Sequence, residues 1–217
     1  MNTIEHILTP WSASWWGWTM FILFLCGIVS EFMQPGIISQ AHSSLLSHND
    51  RTYKAAPSNL YGQILITLFR LGTIAMGAGL CVYPGGEFSF AAYAAVLGVT
   101  FGLVLLKMAG NGLLDYTFML SRRFAPVYEQ YGDTTTLAAC LLYPALLVTM
   151  YIGSLDAVRW VCAGVAALFL MTWTYRAART FVSSPAAVLY IALYIGTMEI
   201  LPTGGLLYLS SIMIKIL

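Results

Sequence analysis

Residues 60–83 read LYGQILITLFRLGTIAMGAGLCVY, an apolar run that holds a single charge, Arg70. At about 1.5 Å per residue such a helix is about 36 Å long, enough to cross a hydrocarbon layer of about 30 Å. Pro84-Gly85-Gly86 ends it, and Pro57 stands just before it. Arg70 lies too deep to reach either interface comfortably, and a charge at that depth costs roughly 2.5–3.5 kcal/mol even on a permissive insertion scale. A run of this kind reads as a transmembrane helix that must find a partner for its arginine. Two readings of that partner stay open: an ion pair or backbone-carbonyl hydrogen bond within the bundle, and a substrate or ion.

The rest of the chain is built for the same surroundings. Of its 217 residues 59% are hydrophobic and only 9% charged, with mean hydropathy +0.77, whereas ordinary soluble domains carry about 25% charge. The surface must face lipid. At about 20 residues per span there is room for about six helices and short loops, so the expected fold is an all-α polytopic bundle, one integral membrane domain over residues 1–217. A net charge of +1 gives no electrostatic case for nucleic acid. Cys26, Cys81, Cys140 and Cys162 all lie in apolar runs without a CxxC and read as small core hydrophobes.

Working outward, six spans are expected, at about 8–30, 60–83, 88–109, 134–152, 157–176 and 185–202. The first holds Trp11, Trp15, Trp16 and Trp18 at one end, where amphipathic rings prefer the headgroup level. It is longer than a signal-peptide apolar region, shows no clear small-residue cleavage site, and so is kept as a span. Glu31 to Asn59 forms the longest loop. The third span is uncharged until Lys107 and then meets Gly110-Asn111-Gly112. A continuous helix from Phe88 to Arg123 would be about 54 Å long, so either the glycines break it or its end projects into water. Pro144 is expected to kink the fourth span. Ser184 and Pro185 suit the start of the sixth, whose apolar character lasts to Leu217. The tail 206–217 is too short to cross alone and is expected to lie at the interface or re-enter.

Loop charge orients the spans. If the loops after the first, third and fifth share a side, that side collects Arg51, Lys54, Lys107, Arg122, Arg123, Arg176 and Arg179, against Arg159 and Lys215 opposite. By the positive-inside rule this bias puts the three loops in the cytoplasm of an inner-membrane, multi-pass protein and both termini in the periplasm.

Few polar residues remain inside. Lys107, Asn111 and Asp115 are spaced four apart and would share a helical face, as a polar strip or as a helix end entering water. Glu199 lies about 21 Å into the last span, past the midplane, where a carboxylate must be paired, protonated or wet. Just beyond it Pro202 removes a backbone donor and Gly204 and Gly205 weaken the helix, so the last helix is expected to break near Pro202. That break reads as a structural kink or as an ion site. Arg70 and Glu199 differ in depth by only about 6 Å, and an ion pair between them is expected.

Enzyme signatures are sparse. His6, His42 and His48 fall outside the spans, which excludes paired haem ligands and an intramembrane histidine metal site. GxSxG, HExxH and Walker motifs are absent. Catalytic residues, cofactors and metals are therefore expected to be none.

The Leu105-Leu106-Lys107 of the third span running into LLDYTF, a Tyr-containing connector, and the closing YIALYIGTMEILPTGGLLY together resemble an uncharacterised Bacteroidota family of polytopic inner-membrane proteins, catalogued only as a domain of unknown function. The resemblance covers residues 60–217. It implies a Glu-Ile-Leu-Pro element at Glu199 to Pro202 and a recurring basic residue at Lys107; Thr203-Gly204-Gly205 departs from the bulkier residues usual there. It implies no activity. Three functions stay open: a non-catalytic component or accessory subunit of an envelope or export system, a small transporter or ion-coupled permease using Arg70 and Glu199, and a lipid-modifying enzyme. Membrane lipids, and other membrane proteins for a subunit, are the expected partners.

Overall fold

The computed structural model describes residues 14–39, 59–83, 88–118, 121–152, 155–181, 196 and 201–216. Six long helices make up this part: α1 Ser14–Met33, α2 Leu60–Val82, α3 Phe90–Phe118, α4 Ser121–Ile152, α5 Leu155–Phe181 and α6 Leu201–Ile216. No strand occurs among the described residues. Stretches of α1, α2, α3 and α5 are each long and apolar enough to cross a membrane. The fold is the all-α membrane bundle that the composition requires.

Helix α2 is its axis. It packs against all five other helices, and half of its span is buried, against 22% for those in α1 and α3 and 11% for that in α5. Glycines let the neighbours in. A side chain at Gly72 would overlap Leu23 of α1; at Gly77 it would meet Leu142 of α4 and Cys162 of α5; at Gly79 it would press on Phe88 at 2.8 Å. In lipid, where apolar burial no longer favours one helix contact over another, close backbone approach of this kind supplies the dispersion energy that holds helices together.

Both ends of the α1–α2 pair are tied by local chemistry. At one end Asn59 caps α2 by accepting from the Tyr61 N–H and donates to the Met33 carbonyl. Gln63 donates to Gln34 at 3.0 Å. Glu31, in the last turn of α1, accepts the N–H groups of Gly36 at 2.7 Å and Ile38 at 3.1 Å. A carboxylate is unfavourable at a helix C-terminus, and these two bonds offset that cost while closing the turn. Gly36 has φ 89°, the left-handed region that suits glycine. At the other end Trp15 packs within 6.0 Å of the rings of Trp16, Phe88, Phe90 and Tyr93, and Tyr83 meets Phe88 edge-on at 5.3 Å. The start of α1, the end of α2 and the start of α3 therefore share one side.

Outward faces are apolar. Trp18, Phe21 and Phe32 of α1, Leu106 and Met108 of α3, and Trp160 and Met171 of α5 are exposed, as lipid-facing residues are.

Two boundaries differ in detail from the sequence reading. Gly110 and Gly112 do not interrupt α3, which runs 29 residues, about 43 Å and longer than the hydrocarbon layer. Each glycine costs about 1 kcal/mol relative to alanine but removes no backbone donor. Helix α4 is already helical at Ser121, before the apolar stretch at 134, and continues through Pro144. Its polar first part is invisible to hydropathy. Residues 201–216 are helical through Pro202, Gly204 and Gly205, and residues 197–200, just before the expected break, lie outside the described residues. Ser184, Pro185 and the rest of the segment before α6, apart from Gly196, lie outside the described residues, as does the start of the first span with Trp11.

Candidate functional site

Arg70 projects from α2 toward α4. Its Nη1 donates to the Gly132 carbonyl at 2.9 Å and its Nη2 to the Thr67 hydroxyl at 2.8 Å. Thr67 sits three residues earlier on the same face and passes its own proton to the Gln63 carbonyl at 2.7 Å. The Gly132 carbonyl also accepts from the Thr136 hydroxyl at 2.8 Å. Glycine suits position 132, because a Cβ there would stand 3.3 Å from Arg70 Nη1. Asp133 and Tyr131, on either side of Gly132, both act electrostatically on the guanidinium.

Lys107 reaches the same turn from α3. Its Nζ lies 3.7 Å from the centre of the Tyr131 ring, a cation–π contact worth about 0.5–2 kcal/mol depending on desolvation. The other side of Tyr131 is fixed by α5, whose Phe169 and Trp173 meet it edge-on at 5.8 and 5.0 Å. Tyr131, Gly132 and Asp133 are thus the turn on which α2, α3, α4 and α5 converge.

This turn is what the sequence reading missed. Its signal was present: Tyr-Gly-Asp immediately precedes Thr134-Thr135-Thr136 and the apolar half of α4. Of the expected polar residues, Arg70 and Lys107 come together on consecutive residues of it. Glu199 and the side chains of Asn111 and Asp115 lie outside the described residues. Gly204 and Gly205 lie within helix α6 with nothing within 4 Å of an added Cβ.

A groove of about 620 Å³ runs between α1, α2 and α4, lined by Phe24, Ile28, Phe32, Phe69 and Tyr143 among others, with the Glu31 carboxylate on its wall. Arg70 and Lys107 do not line it. Tyr143 closes its floor by donating to the Met20 carbonyl at 3.0 Å. No group of three or more histidine, cysteine or acidic residues is placed to hold a metal among the described residues.

Apolar helices, a lipid-like outer surface and charges turned inward define a polytopic α-helical membrane protein. The chain belongs to the family of the domain of unknown function DUF4271, whose profile matches residues 17–209 and so takes in α1 as well as the C-terminal helices. No curated protein and no solved structure matches it.

Proposed function

We propose that this protein is a non-catalytic component or accessory subunit of an envelope or export system in the inner membrane of a diderm bacterium of the Bacteroidota. Its partners are membrane lipids and other membrane proteins. Both termini are periplasmic, a reading supported by Arg51 and Lys54 between α1 and α2, by Arg122 and Arg123 in the polar first part of α4, and by Arg176 and Arg179 in the last part of α5.

The observation that carries the proposal is the use made of Arg70. The deepest described charge is held by a backbone carbonyl and a hydroxyl that join α2 to α4, and it stands apart from the groove. A substrate site would leave donors of this cation facing a cavity. The competing reading, a small transporter or ion-coupled permease using Arg70 and Glu199, draws on the convergence of Arg70 and Lys107 at one turn; lipid-modifying chemistry draws only on the carboxylates.

Affinity purification of the tagged full chain from native membranes tests the proposal. Other envelope proteins should be recovered in stoichiometric amounts. Recovery of the chain alone, with solute flux in proteoliposomes that Arg70→Met abolishes, would establish the transporter instead.

A further inference from the structure

Two thiols face each other where α2 ends and α5 begins. Cys81 is the second-last residue of α2, and because helical side chains lean toward the N-terminus it covers the turn at Gly77. The Gly77 carbonyl is the helical acceptor for the Cys81 amide. From α5, Cys162 places its Sγ on the same spot, 3.8 Å from the Gly77 carbonyl oxygen and 3.3 Å from where a Gly77 Cβ would be. The absent side chain at Gly77 is what lets Cys162 reach the turn that Cys81 covers, and the two thiols stand close enough to act on one another electrostatically.

The helices are held in this register by Arg159. One turn nearer the start of α5, it donates to the Tyr83 carbonyl at 2.8 Å, and its charge also acts on Cys81. Both cysteines are half-buried thiols in the structure.

We infer that Cys81 and Cys162 form a disulfide, a modification site that closes the chain from the end of α2 to the beginning of α5 and fixes α5 on the axis of the bundle. The inference rests on the orientation proposed above, which places this end at the periplasmic side. The oxidant is a disulfide-bearing thiol oxidase of that compartment. A Cys thiolate attacks the oxidase disulfide to give a mixed disulfide, and the second thiolate then displaces the oxidase sulfur. Two S–H bonds and the oxidase S–S bond are broken, one S–S bond forms in the chain, and the two protons and two electrons leave with the oxidase as its dithiol.

The test uses the full-length chain in cells of its native host, with Cys26→Ala and Cys140→Ala so that only this pair remains. Cells are quenched in acid, the protein is dissolved in SDS so that burial cannot hide a thiol, and a maleimide-linked polyethylene glycol is added before and after reduction. No gel shift should appear before reduction and a double shift after it, the linked peptides should lack two hydrogens in mass, and Cys81→Ser should release Cys162 to a single shift without reductant. A double shift without reductant would overturn the inference. A phosphatase fusion after Gly85 reports orientation independently: activity there together with free thiols refutes the disulfide alone, whereas inactivity refutes the orientation.

Discussion

Replacing Arg70 by methionine separates two accounts of the buried charge. The structure shows two charge-assisted hydrogen bonds, each worth about 1.5–3 kcal/mol, so their loss alone would cost about 3–6 kcal/mol. Two terms oppose this. Methionine no longer carries the desolvation penalty of a buried cation, several kcal/mol. The acceptors are also left in hydrogen-bonded groups, because the Gly132 carbonyl keeps the Thr136 hydroxyl and the Thr67 hydroxyl still donates to the Gln63 carbonyl, although its oxygen loses the guanidinium donor. The net expectation is a destabilisation of about 1–2 kcal/mol, read as a shift in SDS-induced unfolding in mixed micelles. An arginine whose chief partner is Glu199 behaves differently: its removal leaves a buried carboxylate unpaired and costs about 3–5 kcal/mol. A loss of about 4 kcal/mol for Arg70→Met, largely recovered by adding Glu199→Met, would refute the assignment of Arg70 to the α2–α4 contact.

Other perturbations follow from the packing. Gly72→Val must displace Leu23 and is expected to cost more than about 2 kcal/mol in the same unfolding assay, whereas Gly98→Ala, with open space around it, should stay within about 0.5 kcal/mol. Glu31→Ala strips the N–H groups of Gly36 and Ile38 of their acceptor and should cost about 1–3 kcal/mol, together with faster amide exchange at those two residues. Alkaline phosphatase fused after Gly85 or Leu217 should be active, and fused after Lys54 or Arg179 inactive; activity at Arg179 would invert the topology.

How much of this was legible in the sequence depends on which force acts at each place. Lipid-facing helices announce themselves through uninterrupted apolar runs, so α1, α2, α3 and α5 could be read directly from hydropathy. The central place of α2 could not, because it depends on which neighbour meets Gly72, Gly77 and Gly79, a property of three-dimensional packing. The polar start of α4 was hidden for a different reason: hydropathy reads the wish for lipid, and residues 121–133 are helical without that wish. Arg70 and Lys107 were recognisable as costly charges needing partners. A backbone carbonyl was among the partners expected for Arg70, but which carbonyl was not recognisable, since a glycine carbonyl has no signature in a side-chain sequence; Glu199, the acid at similar depth, lies outside the described residues.

The central claim is that Arg70 serves the bundle by holding the Gly132 carbonyl. Gly132-Asp133 is the one Gly-Asp pair in the chain, so labelling glycine carbonyl carbon with ¹³C and aspartate nitrogen with ¹⁵N isolates that carbonyl as a single resonance in an NMR correlation spectrum of the micelle-embedded protein. Donors to a carbonyl deshield its carbon. The account predicts an upfield displacement of this resonance in Arg70→Met and an unchanged position in Glu199→Gln. A resonance that stays in place when Arg70 is removed would contradict it.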